Sequence, residues 1–96
     1  MNKEILQKAI DTYGVESQID VCIEEMSELT KALIKDKRND SISVAEWKSL
    51  VWKNIVEEIA DVEIMLTQMK MIFNCKEDVE SQIEFKINRL KERLEG

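Results

Sequence analysis

The sequence contains no proline and no histidine, and only two glycines and two cysteines. Without proline, and with so little glycine, it has little material for the tight turns of a sheet protein and much for helices. The cysteines, Cys22 and Cys75, form no metal-type pair and no disulfide framework, which predicts two reduced thiols in core or half-buried positions. No apolar run approaches the roughly 20 residues of a membrane span. The opening stretch "MNKEILQKAI" lacks the apolar core of a signal peptide, so a cytoplasmic location with no membrane partner is expected. Basic clusters are also missing, and the formal net charge is −6. Long nucleic acid is therefore disfavoured as a partner, because phosphate binding needs cationic patches. A small polyphosphate remains open to an acidic chain if metal ions stand between the like charges.

What is present reads as one small globular domain over residues 1–96, 44% apolar and 35% charged. Four helices are predicted. The first covers about Asn2 to Tyr13, with Gly14 as its C-terminal cap. The second opens at "SQID", where Ser17 and Asp20 resemble a capping box, and runs to about Lys35. The polar loop "DKRNDSIS" follows. The third helix starts at the S-x-x-E box formed by Ser43 and Glu46 and continues to Phe73. Asn74 ends it and is a candidate cap for the fourth, which spans about Lys76 to Leu94 on a stripe of Val79, Ile83, Ile87, Leu90 and Leu94. Short connections favour antiparallel neighbours, so the expected fold is an all-α antiparallel bundle of about four helices.

The stretch "VEEIADVEIML" breaks the usual amphipathic rule. At 100° per residue, Val51, Ile55, Val62, Met65, Met69, Ile72 and Phe73 all fall within about 60° of Glu58. Glu58 thus lies in the middle of the apolar stripe, flanked by Asp61. An ionised carboxylate in such a setting is costly unless something pairs with it. The second helix repeats the pattern in "IEEMSEL", where Glu25 borders the stripe of Cys22, Met26, Leu29 and Leu33, and Glu28 lies one turn on. Packing the two helices together brings Glu25, Glu28, Glu58 and Asp61 into one cleft. Such a group must take up protons, repel, or bind cations. An all-oxygen set suits Mg²⁺ or Mn²⁺, and Mg²⁺ is typically shared between carboxylates and substrate phosphates.

"EEMSE" at residues 24–28 and "EIAD" at residues 58–61 form an EExxE…ExxD pair that resembles the all-α nucleoside triphosphate pyrophosphohydrolases, most closely the MazG-like group. The likeness covers the second and third helices, and extends weakly to "FKINRLKERL" in the fourth. It implies a Mg²⁺-dependent enzyme that cleaves a nucleoside triphosphate between its α- and β-phosphates, giving a monophosphate and pyrophosphate, with house-cleaning of non-standard nucleotides as its use. It further implies Glu25, Glu28, Glu58 and Asp61 as metal ligands, Glu24 as an auxiliary acid, and a homodimer or homotetramer in which neighbouring chains complete each site. The phosphoribosyl-ATP branch of that family follows its second motif with a Tyr-His pair. This chain reads "ADVEIML" there and has no histidine, so that branch is set aside. A carboxylate not fully used by metal can take a proton from water, which leaves Glu24 or Glu28 as the catalytic base.

Four other residues are candidate substrate contacts, each with a plainer reading. Asn54, one turn before Glu58, either hydrogen-bonds a phosphate or a ligand carboxylate, or sits at a wet helix end. Lys86, on the edge of the last stripe, either reaches the leaving phosphates or is a solvated cation. Trp47 stacks on a base or, by default, packs in the core or an interface. Gln18, two turns before Glu25, touches the base or sugar or is a surface residue. Phe85 and Val44 are apolar off the stripes and hint at subunit contacts. A carboxylate-bridged di-iron bundle is disfavoured, since its Glu-x-x-His pairs need histidine. The alternative reading is a non-enzymatic oligomeric adaptor, with exposed acids meeting a basic partner.

Overall fold

The computed structural model describes residues 1–38 and 42–96, and these are helical with short connections. Helix α1 spans Lys3–Tyr13, α2 Val15–Arg38, α3 Val44–Trp47, α4 Lys53–Ile72 and α5 Lys76–Glu95. A π-helical stretch, Lys48–Trp52, joins α3 to α4 without a break, so the expected long third helix is one rod with a widened segment near its start. Among the described residues no helix is long and apolar enough to cross a membrane.

Local chemistry accounts for most boundaries. Asn2 caps α1 by accepting from the Ile5 N–H, and Ser43 caps α3 by accepting from the Glu46 N–H, as the S-x-x-E reading expects. The α1–α2 junction differs from expectation. α2 begins at Val15, and the first turn closes through the Gln18 N–H onto the Gly14 carbonyl, so Ser17 and Asp20 lie inside the helix and not at its cap. The whole connection is Gly14, at φ 93° and ψ 152°, a region that is essentially glycine-only. A Cβ there would meet nothing within 4 Å, so its cost is backbone strain alone. Gly14→Ala is expected to lower the unfolding free energy by about 1–3 kcal/mol, read as a lower urea midpoint. An unchanged midpoint would mean that the junction relaxes freely.

Two other boundaries also shift. α2 runs to Arg38, past the expected end near Lys35, and residues 39–41 of the polar loop lie outside the described residues. Asn74 ends the third rod at φ 49°, a left-handed turn that asparagine tolerates, but it does not cap α5. The N-cap of α5 is Cys75, which offers no side-chain hydrogen bond.

The main packing is α2 against α4, with α1 laid on both. Glu25 lies close to Glu58 and Asp61, while further along α2 Asp36 accepts a hydrogen bond from the Trp47 indole N–H. Later residues of α2 thus meet earlier residues of the third rod, which makes the pair antiparallel. The core comprises Leu6 and Ile10 of α1, Cys22 and Ala32 of α2, and Val51, Val62 and Met65 of the third rod. Both cysteines are free thiols, Cys22 buried and Cys75 half-buried, as expected, and burial pushes the Cys22 thiol up.

α5 departs from the four-helix picture within one chain. It touches α4 near their connecting turn, and its stripe residues Ile83, Ile87, Leu90 and Leu94 are all exposed. The molecule is a flat plate of 44 × 43 × 20 Å with a radius of gyration of 16.9 Å, against about 12.5 Å for a compact chain of this length. The apolar stripe is present as expected; among the described residues nothing covers most of it.

Candidate metal centre

Oxygens of Glu25 on α2 and of Glu58 and Asp61 on α4 all lie within 4.8 Å of one another. Helical periodicity accounts for the grouping. Glu58 follows Val51 by seven residues and precedes Val62 and Met65 by four and seven, so it shares their inward face. Asp61, one turn on, stands at the solvent-facing edge, and Glu25 reaches across from the antiparallel neighbour. Glu25 and Glu58 are half-buried and Asp61 is exposed.

The electrostatics are those of acids crowded together. Burial raises the Glu58 carboxyl above the usual carboxylate range, with the charges of Asp61, then Glu28, then Glu57 adding to it. Burial likewise raises Glu25, followed by the charges of Asp61 and Glu58, a hydrogen bond with Asp61 that favours the protonated form, and finally the charge of Glu24. Among the described residues, Glu58 Oε2 is buried without a hydrogen-bond partner. A buried carboxylate oxygen with no donor is expensive, and a hard divalent cation is the group that best satisfies several such oxygens at once. Ligand oxygens about 2.1 Å from one Mg²⁺ are at most about 4.2 Å apart, so a small inward movement of these three side chains closes them on one ion. The residues fit the metal that the resemblance implies.

No protein-family model, curated protein or solved structure matches the chain.

The expected fourth ligand, Glu28, is exposed and stands outside the trio. Its Oε1 is 3.3 Å from the Lys31 Nζ, although its charge still acts on Glu58. Glu24 is exposed and acts on Glu25 as the least of its neighbours. Asn54 is exposed, one turn before Glu58. Trp47 is half-buried and tied to Asp36, whereas the more open ring is Trp52, with the Lys48 ammonium 5.8 Å from its centre. Lys86 is exposed on α5, and no charge of α5 contributes to the shifts at Glu25 or Glu58. Gln18 corrects its surface reading, being 6% exposed in the core. Gln68, not singled out by the sequence, is buried at 3% with its Oε1 unpaired. Its only sequence signal is its place in the i, i+3 series Val62, Met65, Gln68.

A pH dependence follows from the raised carboxyls. The native chain holds protons at Glu25 and Glu58 that the unfolded chain releases near the ordinary value of 4.5. The resulting stability is complete below that value and is lost as pH rises through the raised native values. The melting temperature in EDTA is expected to fall as pH rises from 4.5 towards neutrality, and Mg²⁺ or Mn²⁺ to restore it at neutral pH by binding the native state. A melting temperature that rises over this window in EDTA, or no response to either cation, would contradict the assignment.

Proposed function

We propose that the chain is a Mg²⁺-dependent nucleoside triphosphate pyrophosphohydrolase of the MazG-like kind, cleaving between the α- and β-phosphates, with Mn²⁺ as a substitute ion. The observation that carries the reading is the unpaired, buried Oε2 of Glu58 within a three-carboxylate cluster. Purely solvated acids have no reason to be inserted into an apolar face. The EExxE…ExxD spacing adds the chemical class, and three crowded carboxylates require a cation bridge for any polyphosphate bound beside them.

In this reading Glu25, Glu58 and Asp61 hold the ion. A divalent ion bound there supplies Lewis acidity towards phosphate oxygens and lowers the pKa of water beside it. Glu28 is the better placed of the two candidate bases, because its charge reaches Glu58 while that of Glu24 acts on Glu25, and weakly. Its Oε1 is held by Lys31, which leaves Oε2 to accept the proton of the attacking water. Asn54 and Lys86 are assigned to phosphate contacts and Trp47 to the base. Lys86 reaches an acid cluster through assembly of a homodimer or homotetramer.

The test is a panel of canonical and modified nucleoside triphosphates, with Mg²⁺ and with EDTA, scored for pyrophosphate and monophosphate. Release of both products only with metal supports the proposal. Release of orthophosphate instead would put the cleavage at a different bond and overturn the proposal, and no release from any nucleotide while a basic protein partner binds would favour the adaptor alternative.

A further inference from the structure

A second feature has the opposite charge. Where the start of α1, the end of α4 and the start of α5 meet, a cleft of about 400 Å³ is lined by Lys3, Thr67, Lys70, Met71, Asn74 and Lys76, with no acid in its wall. The chain as a whole carries 14 cations against 20 anions, so three lysines around one acid-free cleft are a local reversal of the molecule's charge. Some lysines elsewhere have partners, Lys31 with Glu28, Lys91 with Glu95, and Lys48 over the Trp52 ring, while Lys8, Lys53 and Lys86 stand singly on exposed surface and not together around a cleft. Among the described residues, Lys3, Lys70 and Lys76 are in no ion pair.

The backbone builds this convergence. Lys70 stands in the last turn of α4 and Lys76 is the first residue of α5. Asn74 between them takes φ 49° and reverses the chain, so that both ammonium groups border one space. The turn is fixed by the Cys75 N–H donating to the Lys70 carbonyl at 3.1 Å. Lys3, in the first turn of α1, closes the third side. Glu77 and Asp78 line an adjoining depression with Asn74 and Lys76, outside the lysine cleft.

We propose that this cleft is an anion site for a small phosphate-bearing molecule, separate from the carboxylate cluster. Three uncompensated ammonium groups suit a polyphosphate, and the volume falls in the range of small-molecule pockets. Met71 supplies an apolar wall for an organic portion. Thr67 and Lys70 lie six and nine residues past Asp61, the nearest cluster acid on α4, about 9 and 14 Å along the helix axis. The two sites also differ in requirement: the acids accept phosphate only through a cation, whereas the lysines accept it directly. The inference is therefore independent of the pyrophosphohydrolase reading.

The experiment is ¹H–¹⁵N shift mapping in EDTA, titrating pyrophosphate in one arm and a nucleoside triphosphate in the other. Saturable shifts at the amides of Lys3, Lys70, Met71, Asn74 and Lys76 are expected. Tighter binding of the nucleotide identifies a nucleotide site, and equal binding identifies a polyphosphate site. The Lys70→Gln/Lys76→Gln double variant should bind at least about tenfold more weakly, since each lysine offers a charge-assisted contact. Lys31→Gln/Lys91→Gln, with the same change in net charge, should bind as before. Equal weakening in both double variants would show diffuse attraction and overturn the proposal, as would the absence of saturable shifts. Lys76 is exposed and Lys70 half-buried, so retained circular dichroism separates lost binding from lost fold.

Discussion

Replacing Glu58 by glutamine is expected to reduce metal-dependent pyrophosphate release at least about 100-fold, because loss of groups merely supporting a metal ligand already costs 10- to 100-fold. The substitution keeps the side chain's shape and removes its charge. Helix content should be unchanged, and the metal-free variant should melt higher than the parent at neutral pH, because the like-charge crowding with Asp61 and Glu28 is relieved. Its melting temperature in EDTA should also vary less with pH. This opposite movement of activity and stability separates a ligand from a structural residue, whose loss would lower both. Glu25→Gln and Asp61→Asn should follow the same pattern. Glu28→Gln should instead lower turnover while leaving the metal concentration for half-maximal activity nearly unchanged, as expected of a base and not a ligand. If Glu58→Gln retained full metal-dependent turnover, the ligand assignment would be wrong. Calorimetry with Mn²⁺ gives the same answer without a substrate: binding to the parent and none to the variant.

The acid cluster was legible in the sequence because it violates a rule. Amphipathic periodicity assigns every position of the third rod to a face, and Glu58 stands out as a charge on the wrong one. The rods and the cap at Ser43 were legible for the same reason, since a local pattern has a local cause. Other features have no local signature. Ser17 and Asp20 make a plausible capping box, yet Gly14 can turn the chain in one residue and lets α2 start earlier. The π-helical stretch Lys48–Trp52 carries no distinct spacing, although it rotates what precedes it relative to Glu58. Gln18 reads as a surface residue, and Gln68 draws no notice, because glutamine is usually exposed; their burial depends on where α2 and α4 meet. Glu28 shows the limit of residue spacing. It shares a face with Glu25, but its carboxylate is exposed beside Lys31 and stands outside the trio. Above all, periodicity shows that a helix has a face to cover and says nothing about which chain covers it.

The stripe of α5 leaves Ile87 at 59% and Leu90 at 51% exposure. A continuous apolar face of this kind marks an association surface, and α2 and α4 expose Met26, Leu33, Val56 and Ile59 in the same chain. A second copy offers both kinds of surface at once, so the chain is expected to run above its 11.2 kDa monomer mass in sedimentation. Fully burying an isoleucine or leucine side chain is worth about 1.5–3 kcal/mol. Ile87→Glu/Leu90→Glu removes two and adds two charges that would have to be desolvated, so association should weaken at least about 100-fold. Both positions are exposed within one chain, so the monomer should retain its helices and the α2–α4 acid cluster should still bind Mn²⁺. Turnover distinguishes two roles for the assembly. If α5 of one copy brings Lys86 to the phosphates at its neighbour, the double variant should bind metal but cleave poorly, and Lys86→Gln should cleave poorly while remaining assembled. If assembly only shelters the apolar face, the monomer should turn over as the parent does until it aggregates. A parent chain that sediments as a monomer at all concentrations would remove the second copy from the account and leave the face of α5 to a different partner.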